Sequence, residues 1–132
     1  MYKIKKEFSI CCSHRLHNNE WSEDENRRIY GRCNNLPSHG HNYKIILFLK
    51  SITIDSTGMI MNFNKLKEHF NKIIDNRFDH KFLNDDITFK NLVPTAENMA
   101  QIFYTLLKEQ IEELYKVEIY ETEGASAIYE VN

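Results

Sequence analysis

The chain has no run approaching the ~20 consecutive apolar residues that a membrane-spanning helix needs. Its opening stretch, MYKIKKEFSI, lacks the apolar core of an export signal, which points to a cytoplasmic location. Cysteine is scarce and odd in number: Cys11, Cys12 and Cys33, the first two adjacent. That count excludes an ordinary disulfide framework, and the three are expected to be reduced thiols. An excess of one charge is also missing. The 17 Lys and Arg face 19 Asp and Glu, for a net charge of −2, so no broad nucleic-acid or anionic-membrane surface is implied. There is no internal repeat, low-complexity tract or linker. What remains is 132 residues, 42 % of them hydrophobic and 27 % charged. That is enough for one domain over residues 1–132 with its own core.

Hydrophobic alternation supplies the first strand. Over residues 2–14, Tyr2, Ile4, Phe8, Ile10, Cys12 and His14 share one parity, and Lys3, Lys5 and Glu7 take the other. This is a half-buried strand with His14 on the buried parity at its far end. A second strand runs over residues 41–54, where His41, Tyr43, Ile45, Leu47 and Leu49 share a parity that His39 extends backwards. Asp55 to Gly58 reads as a turn, followed by a short extended piece at Met59-Ile60-Met61. Two short strands, 115–122 and 126–131, flank Gly124 as a hairpin, with Tyr115, Val117, Ile119 and Glu121 on one parity.

Helical spacing appears in two places. Asn62 caps a helix to about residue 76, with Phe63, Leu66, Phe70, Ile73 and Ile74 as its stripe. Thr95 caps a second, carrying Met99, Ile102, Phe103, Leu106, Leu107 and Leu114. A shorter helix is expected from the Ser22 and Glu25 pair to about Arg28, stopped by Gly31. The fold class is α+β: a four-stranded antiparallel sheet with two helices on one face. Its open edges favour self-association.

The residues able to do chemistry are few. His39 and His41 stand two apart on an extended backbone, so both imidazoles face one side. With His14 they could present three nitrogens to one metal ion and leave a fourth position open. The pair alone leaves metal binding and a surface position both open. Cys33 lies six residues before His39. As a thiol it could be a base or nucleophile, a further zinc ligand, or a small buried apolar group. Asp79-His80 is a possible acid/base pair in which the carboxylate sets the histidine tautomer. Glu121, on an inward parity, could accept two parallel N–H donors such as those of an amino-pyrimidinone ring. For Thr95 and Glu97, helix capping and dipole complementarity are sufficient roles.

The blocks FSICCSHRL, YGRCNNLPSHGHNYKI, TGMIMNF, FDHKFLN, PTAEN and IYETEGASAIY occur in that order. In order and spacing they resemble the 6-pyruvoyl-tetrahydropterin synthase family over nearly the whole chain. The resemblance implies the tunnelling fold, in which the sheets of several subunits join into a β-barrel. It implies homohexamers, dimers of trimers, with active sites between subunits. The implied reaction converts 7,8-dihydroneopterin triphosphate to 6-pyruvoyl-tetrahydropterin with loss of triphosphate. By position, it makes His14, His39 and His41 the ligands of one Zn²⁺ per subunit and Cys33 the catalytic cysteine, off the metal. Asp79 and His80 become the proton relay. Glu121 becomes the pterin-gripping glutamate, with Thr95 and Glu97 framing the ring and Arg15 a contact to the triphosphate. Cys12 and Ser38 depart from the alanine and glycine usual there, and Ala96 from a common threonine.

Two relatives on the same fold compete with this expectation. The 6-carboxy-tetrahydropterin synthase of queuosine biosynthesis usually places its cysteine closer to the HGH motif. Here five residues separate Cys33 from His39, which favours the pyruvoyl enzyme. A side-chain-cleaving relative replaces the cysteine with glutamate, and Cys33 argues against it. A non-catalytic zinc- or pterin-binding module is the alternative of a different class. The joint presence of Cys33, Asp79 and His80 argues against that.

Overall fold

A computed structural model describes all residues, Met1–Asn132. Four strands form one antiparallel sheet in the order β1-β2-β3-β4. They are β1 (Tyr2–His14), β2 (His39–Ser51), β3 (Leu114–Thr122) and β4 (Ala125–Glu130). The β1–β2 register runs from Tyr2 opposite Ser51 to His14 opposite His39, and it brings Cys12 opposite His41. One face of this register carries Ile10, Cys12, Tyr43, Ile45, Leu47 and Leu49, all buried. The strand alternation thus places these six residues and the site histidines of β1 and β2 on the same side, with Ile46 and Phe48 on the other.

Two helical runs, residues 63–78 and 96–108, cover that side, and a shorter helix lies outside the core cluster. Helix α1 (Glu23–Tyr30) is capped by Ser22, whose hydroxyl accepts from the Glu25 N–H. Glu25 does not complete a capping box, because its carboxylate pairs with Arg28 one turn on. Gly31 closes α1 at φ 57° and donates to the Arg27 carbonyl, in the left-handed region where only glycine is unstrained.

The next helical run is longer than its stripe suggests. It comprises α2 (Phe63–Phe70), a π turn over Asn71–Asp75, and α3 (Asn76–Phe78). Leu66, Phe70, Ile74 and Phe78 are its buried residues, spaced by four. On a helix of about 3.6 residues per turn a strict four-residue repeat drifts around the axis. The wider π turn keeps the four in line over the sheet. Phe63, expected in that stripe, is outside it and exposed.

Helix α4 (Ala96–Lys108) lies against β3 and β4, and Leu114, expected on its stripe, instead opens β3 because the helix ends six residues earlier. Its stripe joins Met99, Ala100, Phe103, Tyr104 and Leu107 to a cluster of 21 buried residues shared with α2, α3 and the sheet. The expected extended piece at Met59 to Met61 is not a strand. Those three residues sit between the Gly58 turn (φ 79°) and the Asn62 cap, with no strand to pair with, and Ile60 and Met61 pack on the core rim instead.

After α3 the chain folds back along the free edge of β1. Asp79 and His80 hydrogen-bond Cys11, Lys81 accepts from the Ser13 N–H, and Phe82 bridges Ser13. The opposite edge is β4. No helix lies on the other face of the sheet, where Lys3 and Lys50 sit over the Tyr115 ring and Lys116 over Phe48.

Candidate metal centre and active site

The C-terminal end of β1 and the start of β2 meet at one end of the buried face. There the register sets His14 against His39. The three histidine rings form a near-equilateral group, with centroids 4.6, 5.0 and 4.9 Å apart. Glu121, at the end of β3, completes it. One ligand atom from each of His14, His39, His41 and Glu121 lies within 4.8 Å of the others.

The donors are prepared in detail. His14 is fully buried. Its Nδ1–H donates to the Pro94 carbonyl at 2.8 Å, and the Tyr43 hydroxyl lies 3.1 Å from the same nitrogen. This leaves Nε2 as a lone pair, aimed at His39 Nε2 3.0 Å away. At that distance the two ring nitrogens either share one proton or present both lone pairs to a common cation. His39 Nδ1 and His41 Nε2 are buried without a hydrogen-bond partner. Glu121 Oε1 approaches His41 Nε2 to 2.9 Å and His14 Nε2 to 3.4 Å. The first is a close charge contact whose angle is not that of a hydrogen bond.

Electrostatics points the same way. Burial lowers the pKa of His39 and of His41, and the neighbouring rings lower them further while Glu121 opposes. Glu121 is held below the usual carboxylate range, first by the adjacent His14 ring and then by those of His41 and His39, against the effect of burial. Neutral imidazoles beside an ionised carboxylate, with buried nitrogens unpartnered, are the donor set of a divalent cation. The group can therefore bind a metal ion.

Glu121 was expected at the pterin, and the structure gives it two neighbourhoods. Besides the rings, it lines a cavity of about 230 Å³ with Ala96, Glu97, Ala125, Ser126 and Ile128. Thr95 caps α4, its hydroxyl accepting from the Asn98 N–H at 3.2 Å, and Glu97 follows in the first turn. Cys33 lies in a 3₁₀ turn over Gly31–Asn34 and is half-buried. It is not in the metal-ligating group. Burial, and then the Glu121 charge, push its thiol up. Arg15 borders a larger cavity of about 650 Å³ with His17, Lys90, Asn91 and Leu92.

Asp79 and His80 form the expected pair. His80 Nδ1 lies 2.8 Å from Asp79 Oδ2, and Asp79 Oδ1 accepts from the Cys11 N–H at 2.8 Å. That backbone donor, then His80, holds Asp79 below its ordinary value. His80 takes a left-handed φ of 59° and its side chain is 80 % exposed. The pair points outward from the β1 edge, and none of its hydrogen bonds reaches the histidine group of the same chain. Tyr43 and the Pro94 carbonyl, which orient His14, were missed from the sequence. The parity of Tyr43 with His39 and His41 was the signal that could have found it.

A sequence model of the family described as 6-pyruvoyl tetrahydropterin synthase matches residues 3–132. The chain belongs to this family. It is 35 % identical over 130 residues to the human 6-pyruvoyl tetrahydrobiopterin synthase, covering 96 % of this chain and 90 % of the human one. It is also 33 % identical over 134 residues to a 6-carboxy-5,6,7,8-tetrahydropterin synthase of Synechocystis, covering 98 % and 93 %. The solved structure of the Caenorhabditis elegans 6-pyruvoyl tetrahydropterin synthase superposes with a TM-score of 0.92 at 33 % identity, over 99 % of this chain and 96 % of that one. The architecture is that of the family's tunnelling fold.

Proposed function

We propose that the chain is a zinc-dependent 6-pyruvoyl-tetrahydropterin synthase. It converts 7,8-dihydroneopterin triphosphate to 6-pyruvoyl-tetrahydropterin with release of triphosphate. The observation that carries this reading is a half-buried thiol, Cys33, that feels the charge of Glu121 beside three convergent histidines and yet stands outside their ligand set. His14, His39 and His41 hold the metal. Bound there, zinc supplies Lewis acidity that polarises the oxygen functions of the substrate side chain and acidifies its neighbouring carbon-bound hydrogens.

The chain's own groups divide the rest of the work. Glu121 turns its carboxylate to the pterin N–H donors in the smaller cavity, framed by Glu97 and the Thr95 cap. Cys33 as thiolate removes a carbon-bound proton. Asp79 accepts from His80 Nδ1–H and leaves Nε2 free to pass a proton. Arg15 and Lys90, on the larger cavity, face the triphosphate as it leaves. The redox change is internal to the substrate, so no external reductant enters. With His80 exposed and none of the pair's hydrogen bonds reaching its own chain's histidines, Asp79-His80 serves the site of a neighbouring subunit in a homohexamer, a dimer of trimers whose sheets join into a barrel. The whole chain acts as one catalytic domain, and its three free cysteines fit a reducing cytoplasm.

The test is incubation of the zinc-loaded protein with dihydroneopterin triphosphate, read by product mass and triphosphate release. Pyruvoyl product with released triphosphate is expected. A carboxylated or shortened side chain assigns the chain to its relatives' reactions, and intact binding without release overturns the enzyme reading. In the same assay, Cys33→Ala is expected to keep stoichiometric zinc and lose turnover. Loss of zinc would make the cysteine a ligand.

A further inference from the structure

Asn34 follows the thiol of the proposed site, and its environment is unlike that of the residues around it. Arg32 and Asn35 are exposed and Cys33 is half-buried, while Asn34 is only 4 % exposed. It is neither in the metal-ligating group nor in the lining of either cavity. A buried amide is costly unless its donors are matched, and those of Asn34 are. Nδ2 donates to the Leu16 carbonyl at 2.8 Å and meets His17 Nδ1 at 2.9 Å. Both amide hydrogens are thereby used, and His17 accepts at Nδ1, so its own proton sits on Nε2.

Two further bonds join the same segments. The Arg15 Nε–H donates to the Asn34 carbonyl at 2.8 Å, and the Leu16 N–H to the Cys33 carbonyl at 2.8 Å. Every one of these bonds connects residues 33–34 with residues 15–17, which begin immediately after the ligand His14. From the other side, Asn84 holds Arg15 through both its carbonyl and its N–H. The Cys33 turn is four residues long. Without the Asn34 side chain it keeps one backbone bond and one arginine contact to the β1 end.

We propose that Asn34 is a positioning residue: it fastens the Cys33 turn to the strand end that carries His14, and so sets where the thiol lies relative to the histidine group. This rests on the reading of Cys33 as the base. Chemistry at a carbon-bound hydrogen is sensitive to misplacement of the base by about 1 Å, which can cost about 100-fold in rate.

The three cysteines provide a readout independent of turnover. Cys11 is exposed, Cys12 buried and Cys33 intermediate. In the zinc-loaded protein, iodoacetamide labelling resolved by peptide mass gives each rate separately. Asn34→Ala is expected to change the Cys33 rate relative to Cys11 several-fold while Cys12 stays protected and zinc content is unchanged. kcat should fall by about 10- to 100-fold with KM within about twofold. If Cys33 and Cys12 become reactive together, or the Cys33 to Cys11 ratio does not move, Asn34 is a stability residue only and the proposal is overturned. Should Asn34→Ala fail to fold, Asn34→Asp keeps the shape, loses the donor to the Leu16 carbonyl, and is read the same way. Full turnover in Cys33→Ala would defeat the role given to Cys33 instead, while the labelling ratios would still report whether Asn34 places it.

Discussion

At the scale of the residue, the histidine group shows how much is settled by what lies behind a ligand. His14 presents Nε2 to the metal site because Nδ1–H is committed to the Pro94 carbonyl, with the Tyr43 hydroxyl beside it. A ligand histidine fixed in this way loses less orientational freedom on binding and is more basic at the free nitrogen. Tyr43 is fully buried, and burial pushes its hydroxyl up, so it stays neutral. Tyr43→Phe is therefore expected to keep the fold and weaken zinc affinity by roughly 10-fold, measured by competition with a chromogenic chelator. Unchanged affinity would leave the Pro94 carbonyl as the sole orienting group. His39 and His41 were legible from sequence because strand alternation puts them on one face, and His14 as the buried-parity end of its own strand; that β1 meets β2 in the register that joins them was not. Glu121 was legible as inward-facing. That it reaches the rings was not, because this depends on β3 lying beside β2. The Asn34 bonds were invisible for the same reason: they join segments 17 to 19 residues apart that only the fold brings together.

At the scale of the element, the loop that carries Asp79 and His80 is closed by an ion pair. Arg77, in α3, meets Asp86 in two hydrogen bonds of 2.9 Å. Asp86 also accepts from the N–H and hydroxyl of Thr88. The Arg77 guanidinium, followed by the Thr88 bonds, holds the Asp86 carboxyl down to about 2 against the effect of burial. A depressed carboxyl stabilises the folded state fully above the ordinary carboxylate range, and that contribution is lost as pH falls through about 2. Allowing for solvent screening, Asp86→Asn should cost roughly 1–2 kcal/mol at pH 7. The gap from the parent should narrow as pH falls from about 4 towards 2, as read from urea midpoints. A gap independent of pH would mean the loop is held by Thr88 and packing alone. The helices themselves were legible from spacing and caps, including Thr95 and Asn62. The π turn was not, because a four-residue apolar repeat looks helical whether or not the backbone widens to keep it in line.

At the scale of the whole molecule, one sheet face is covered and the other carries lysines over aromatic rings with no helix on it. Within a single chain His80 of the Asp79-His80 pair is exposed at the β1 edge, whereas His14 is fully buried. If the pair acts on the site of a neighbour, catalytic parts can be supplied by different chains of one symmetric assembly. Cys33→Ala and His80→Ala would then each be nearly inactive alone. When unfolded and refolded together in equal amounts, some sites would combine an intact Cys33 from one chain with an intact His80 from the next. With random assembly about a quarter of sites are complete, since each site draws two independent halves. The mixture should recover about a quarter of the parent turnover, and native mass spectrometry should show mixed hexamers. Were the pair to serve its own chain, every site would lack one group or the other, and mixing would restore nothing. The sequence could place Asp79 and His80 beside each other but not say whether they would serve their own chain or a neighbour, because that is a property of the assembly.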